Sequence, residues 1–201
     1  MFICLLTRKV IRAAWHALLL IILLLGLVST VRAFYPIKFR EPVDRSSREF
    51  NLDPLLLYAV IRVESRFDPR AISPAGARGL MQIMPRTGSW AASRLGMTLP
   101  DPALPDRLMD PETNIRIGAF YLRYLFDQFD GDPATALAAY NAGLKNVAEW
   151  LEVSGKPRLE VEDIRFAETR RFIEMVTRDK KVYRLFYPRY PRYLRTNDRS
   201  D

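Results

Sequence analysis

DPLLLYAVIRVESRFDPRAISPAGARGLMQIMP, residues 53–85, begins as a helix and ends as a loop. Asp53-Pro54 is an opening signal: a capping side chain, then a proline where its missing N–H costs nothing. The apolar run Leu55 to Ile61 follows, and Asp68-Pro69 closes the segment, so a helix is expected from Pro54 to about Arg66. Leu57, Val60, Ile61 and Glu64 are spaced i, i+3, i+4 and i+7, which puts Glu64 on the apolar face. Burial and the negative end of the helix dipole both disfavour an anion there, so the Glu64 carboxyl should titrate high. Such an acid suits proton donation near neutral pH. A bland alternative pairs Glu64 with Arg62, Arg66 or another arginine at the helix end.

The loop shifts the balance toward chemistry. Ser73-Pro74-Ala75-Gly76-Ala77-Arg78-Gly79 is small and rich in turn formers, so backbone can approach a ligand. Leu80 to Pro85 carries no charge, and Gln82 offers a donor and an acceptor inside that apolar run. Gln82 could equally satisfy loop backbone, with the methionines filling gaps.

Working outward, Asp110-Pro111 and Asp132-Pro133 repeat the opening signal. Helices are expected behind each, and also over about 87–95, 144–152 and 167–186. Residues 97–109, with three prolines, read as an ordered loop or flap. No strand alternation or repeat is visible, and the class is all-α. Expected boundaries are an N-terminal segment at 1–33, a linker at 34–50, a helical domain at 51–187 and a basic tail at 188–201.

The N-terminal segment is a targeting sequence. Arg8, Lys9 and Arg12 precede the apolar run Ala17 to Val28, and Val31-Arg32-Ala33 offers a small residue for cleavage. A cleaved signal peptide is the first reading and an uncleaved inner-membrane anchor the second. Either way the domain is expected in the periplasm or cell envelope. Of the net charge of +8, four units (Arg8, Lys9, Arg12, Arg32) lie in this acid-free segment, leaving +4 for the rest.

Cys4 and His16 are the only cysteine and histidine, and both lie in the targeting segment. A Ser-His-Asp triad, a Cys-His pair and a His-ligated zinc are therefore excluded from the domain. Carboxylates are left as the proton-transfer groups, and neither cofactor nor metal is expected. Nucleic acid is not expected as a partner, and the domain should act as a monomer. The tail (Arg189, Arg192, Arg195 and Arg199 with Tyr190 and Tyr193) reads as solvated or as a contact for anionic lipid or wall polymer.

Four blocks, in order, carry a family resemblance. Glu64-Ser65 with Ser73-Pro74-x-Gly76-Ala77-x-Gly79-Leu80-Met81-Gln82-Ile83-Met84-Pro85 resembles the signature of lytic transglycosylases of the soluble, goose-lysozyme-related type. Asn114-Ile115-x-x-Gly118-x-x-Tyr121-Leu122 is similar to the family's middle helix. Ala138-Ala139-Tyr140-Asn141-Ala142-Gly143, followed by Trp150, is similar to its second sugar-binding block, and Glu168-Thr169-Arg170 to its late element. That last block lacks the proline usually found ahead of it.

The resemblance implies a lysozyme-like helical domain with a substrate groove. It implies cleavage of the β-1,4 bond between N-acetylmuramic acid and N-acetylglucosamine in peptidoglycan, leaving 1,6-anhydro ends. Glu64 would be acid and then base. Ser73 and Gln82 would hold substrate or orient the carboxylate, and Met84 would line the sugar pocket. Tyr140 would hydrogen-bond near the reacting centre, Asn141 would shape its turn, and Glu168 would contact glycan or its peptide stem. Competing expectations are a lysozyme-like muramidase and a catalytically silent glycan-binding module of the envelope.

Overall fold

Three Asp-Pro pairs set the frame. Asp53 accepts from the Leu55 N–H at 2.9 Å, Asp110 from Thr113 N–H at 2.9 Å and Asp132 from Thr135 N–H at 2.8 Å, each with proline at the first helical position. The computed structural model describes residues 2–97, 104–188 and 190. Among them run α1 (Phe2–Phe34), α2 (Arg40–Glu49), α3 (Pro54–Ser65), α4 (Pro85–Arg94), α5 (Leu104–Arg107), α6 (Pro111–Gln128), α7 (Pro133–Ala142), α8 (Leu144–Ser154) and α9 (Ala167–Phe186), with a 3-10 turn at Val161–Asp163. No strand forms among the described residues, only isolated bridges in the loop after α3.

The chain divides at Pro36 and Ile37. In the first unit, Ala14–Phe34 of α1 is long and apolar enough to cross a membrane, with mean hydropathy 2.4.

In the second unit α3 is the buried centre. Leu57, Tyr58, Ala59, Val60 and Ile61 are fully enclosed by α2 and α9. Each large aliphatic buried this way contributes about 1.5–3 kcal/mol. Behind it, α6 packs on α2, α4 and α7, and α7 packs on α8 and α9. An ion pair closes the α3–α9 seam. Asp179, wholly buried, is held by Arg62 from α3 and by Arg178 at 3.0 Å.

Two expectations need correcting. The segment read as linker contains α2, which packs on α6 and α3. Its sequence hides this because Val43 is its only aliphatic; the buried face is completed by the small polar Ser46 and Ser47. Such a face gives no apolar stripe for periodicity to find. Within the segment read as a loop, Leu104–Arg107 makes one helical turn, and Leu108 behind it is buried. The tail lies outside the described residues except Pro188 and Tyr190. Tyr190 packs on Tyr58, donates to Asp44 and lies under the Arg40 guanidinium at 5.0 Å.

Candidate active site

Glu64 is the penultimate residue of α3. Arg66 and Phe67, immediately beyond it, both take left-handed backbone (φ 53° and 66°), so the chain turns sharply there. Phe67 is buried against Tyr58, which fixes the turn. No salt bridge or hydrogen bond engages the Glu64 carboxylate among the described residues: Arg62 is committed to Asp179, and Arg66, equally near in sequence, is exposed beyond the helix end. The side chain keeps a limited opening to solvent. Desolvation, reinforced by the negative charge of Glu168, pushes its pKa up to about 8. Burial was foreseen as a cause; the acidic neighbour on α9 was not.

The loop from Ala71 to Ile83 folds back on itself. Arg78 and Ile83 exchange backbone hydrogen bonds at 3.0 Å, and the Gly79 N–H donates to the Ala71 carbonyl at 2.9 Å. Ser65 Oγ donates to the Leu80 carbonyl at 2.8 Å, tying the loop to the end of α3. Asn114, fully buried on α6, accepts from the Met81 N–H at 2.7 Å. It donates to the carbonyls of Arg78 at 2.9 Å and Leu108 at 2.7 Å. One side chain thus satisfies three backbone groups, each costing about 1–3 kcal/mol if left unpaired. Two glycines allow the close approach. A Cβ on Gly79 (φ +74°) would stand 2.1 Å from the Leu108 carbonyl oxygen, and one on Gly118 would stand 2.5 Å from Met81 Sδ.

Against this loop lies a cleft of about 210 Å³. Its walls include Gln82, Met84, Thr87, Tyr121, Tyr140 and Asn141. Four residues read from the sequence as substrate-binding are therefore brought together. Met84 is exposed at its edge. Gln82 adopts left-handed backbone (φ 48°) and spends its amide hydrogens on the carbonyls of Ala71 at 3.1 Å and Gly79 at 2.9 Å. Only its carbonyl oxygen is left to the cleft. Asn141 accepts from Thr169 Oγ1 at 2.7 Å, locking the end of α7 to α9 beside Glu168.

Tyr140 donates its hydroxyl to the Met81 carbonyl at 2.7 Å and stacks on Phe172 with rings 6.2 Å apart. Burial, then the charges of Glu64 and Tyr121, raise its pKa well above the ordinary tyrosine value. Glu64 itself stands beside the cleft, coupled electrostatically to Tyr140 in its wall and to the exposed Glu168. Ser73 is not in this wall. It belongs to the loop's tight turn, where Oγ accepts from the Ala77 N–H at 3.0 Å.

Sequence reasoning gave no role to Tyr121, Thr87, Asn114 or Thr169. Tyr121 and Asn114 stood in a quoted block, and their spacing on α6 was the available signal. Thr169 stood in the late quoted block and acts through Asn141 on another element, whereas nothing local marks Thr87.

The model of the transglycosylase SLT domain matches residues 41–160. A soluble lytic murein transglycosylase of Salmonella typhimurium is 38% identical over 156 residues, covering 76% of this chain and 24% of the relative. A membrane-bound lytic murein transglycosylase C of Haemophilus ducreyi is 36% identical over 116 residues, covering 53% of this chain and 30% of the relative. The crystal structure of the 70 kDa soluble lytic transglycosylase of Escherichia coli aligns with TM-score 0.71 at 34% identity, over 78% of this chain and 25% of that one. The chain thus spans about a quarter of the length of the soluble relatives it matches. The all-α fold agrees with these matches, and the chain belongs to the transglycosylase SLT family.

Proposed function

We propose that this chain is a peptidoglycan lytic transglycosylase acting on glycan strands in the cell envelope. In this reading Glu64, protonated, gives its proton to the N-acetylglucosamine O4 as the bond from muramoyl C1 to that oxygen breaks. The muramoyl C6 hydroxyl then closes on C1 and returns its proton to the Glu64 carboxylate. No water is consumed, Glu64 ends as it began, and the product carries a 1,6-anhydro-N-acetylmuramic end. A hydrolase would instead need a second carboxylate, about 5 Å away to form a covalent intermediate or roughly 6.5–9.5 Å away to activate water.

The observation that carries this reading is the Glu64 carboxyl itself. It is desolvated, without a cation among the described residues, held neutral to about pH 8 and coupled to Tyr140 in a sugar-sized cleft. Gln82, Met84, Asn141 and Tyr121 would hold the sugar rings. Glu168 would tune Glu64 and meet the substrate at the rim. Ser73 would act through the loop turn that presents Gln82. The domain would work as a monomer, with α1 as signal peptide or inner-membrane anchor.

The test is mass spectrometry of muropeptides released from purified wall. Anhydro ends are expected from the parent chain, with at least about a thousandfold less product from Glu64→Gln. Reducing muramic ends would replace this reading with a muramidase.

A further inference from the structure

Beyond α9 the chain turns back toward the middle of the domain. The Tyr187 N–H donates to the Tyr183 carbonyl at 2.8 Å, ending the helix, and the Tyr190 N–H donates to the Tyr187 carbonyl at 3.0 Å. This turn brings Tyr190 against residues 132 and 146 positions away. Its ring meets that of Tyr58 edge-on, with centroids 5.7 Å apart, and the two hydroxyls stand 3.2 Å apart. Tyr190 commits its hydroxyl hydrogen to Asp44 on α2, which leaves Tyr58 to donate between the two tyrosines. Arg40 closes the outside: its guanidinium lies 5.0 Å over the Tyr190 ring, and its Nε is 3.5 Å from Asp44.

The clasp bears on the turn after Glu64. Tyr58 is wholly buried and also meets Phe67, with ring centroids 6.2 Å apart, and Tyr183 at 5.7 Å. Phe67 and Arg66 form the left-handed pair just past the end of α3. Such backbone is unfavourable for residues that carry a Cβ, so packing must enforce it. Arg66 is exposed, whereas Phe67 is buried against Tyr58, so the enforcing contact falls on Phe67. A path of direct contacts therefore runs from Asp44 through Tyr190, Tyr58 and Phe67 to the backbone three residues beyond Glu64.

We propose that Tyr190 is a positioning residue for Glu64. Pinned to Asp44, it props Tyr58 against Phe67 and so holds the turn that sets where the Glu64 carboxyl stands. It does not line the cleft and touches no substrate there. The proposal rests on the glycan-cleaving reading above for what Glu64 does. It adds a contact from the far end of the chain on which the placement of that acid depends.

The experiment compares the full chain in detergent with Tyr190→Ala and Tyr190→Phe, by kinetics against pH and by amide hydrogen exchange. Tyr190→Ala is expected to lower kcat about tenfold with KM unchanged. Its turn loosens and Glu64 gains water, so the alkaline limb of kcat/KM, near pH 8 in the parent, moves to lower pH. Glu168 and Tyr140, whose charges couple to Glu64, are unaltered in both variants. Tyr190→Phe keeps the ring on Tyr58 and loses only the bond to Asp44, so kcat is expected to fall about threefold. The Arg66 and Asp68 amides, bonded to the Arg62 and Ser65 carbonyls at 3.1 Å each, should exchange at least about tenfold faster in Tyr190→Ala. Those of α8, which packs on α7 and the 3-10 turn, should keep the parent rate. Parent kcat with an unmoved limb in both variants overturns the proposal, as it does in Tyr190→Phe alone where Tyr190→Ala does not fold. Equal acceleration of exchange in α8 also overturns it, because the loss is then general. Exchange needs no turnover, so a parent chain that yields no anhydro ends sinks the transglycosylase reading while the exchange contrast still decides the clasp.

Discussion

Glu64 and Asp179 are both carboxylates taken out of water along the same helix seam, and they meet opposite surroundings. Asp179 sits between the guanidinium groups of Arg62 and Arg178. Glu64, two residues beyond Arg62, is met by no cation among the described residues and faces the negative charge of Glu168. The first arrangement holds α3 to α9; the second keeps a proton available. Burial alone therefore does not tell a structural acid from a reactive one. What decides is whether burial is compensated by charge.

The sharpest way to break this contrast is Asp179→Ala. It takes the anion from the largely buried Arg62 guanidinium, while Arg178 stays hydrated, and urea denaturation should show a loss of about 3 kcal/mol. A loss under 1 kcal/mol would mean the seam does not depend on the pair.

Glu64→Gln should act in the opposite direction. A carboxyl whose pKa is raised in the fold contributes stability that is whole below its unfolded value, near 4.5. That contribution is lost as pH climbs through about 8. The parent should therefore lose stability between those limits. The Gln variant should escape the loss and be more stable by on the order of 1–3 kcal/mol at pH 7.5. Parallel stability–pH curves for the two chains would contradict the account.

Tyr140→Phe tests the link between the acid and the cleft. It leaves the Met81 carbonyl unpaired, costing about 1 kcal/mol of stability, and should lower kcat by roughly tenfold to a hundredfold. A fall in stability with full turnover would reduce Tyr140 to a packing residue.

Glu168→Gln gives the smallest effect. Removing the negative charge lowers the Glu64 pKa, so the alkaline limb of kcat/KM, near pH 8 in the parent, should move toward lower pH. A fixed limb would remove Glu168 from the electrostatics of the site.

The contrast also explains what was legible in the chain. Glu64 stood out because an acid on an apolar face breaks the pattern locally. Asp179 did not, since Arg178-Asp179-Lys180-Lys181 reads as a solvated charge run and its partner Arg62 is 117 residues away. Helix starts were legible wherever Asp-Pro pairs capped them, as the bonds from Asp53, Asp110 and Asp132 bear out. Helix α2 was not, because serines and one valine bury its inner face. Gln82 and Asn141 could be placed by pattern, yet the backbone and Thr169 contacts that orient them depend on tertiary geometry. Asn114 is the clearest case: its three bonds join segments up to 36 residues apart, and only the folded chain brings those segments together.

One hydroxyl has a consequence for direction. A phenol owns a single hydrogen, and Tyr140 lends that hydrogen to the Met81 carbonyl. Toward the reacting atoms it can therefore only receive. The charge of an ionised Glu64 reaches the Tyr140 oxygen and opposes any second negative charge there. In the proposed reading, an ionised Glu64 facing that oxygen and Glu168 would reclaim a hydrogen from whatever hydroxyl is already within reach. An alcohol on the substrate is such a source, and its use would leave a bridged ring behind.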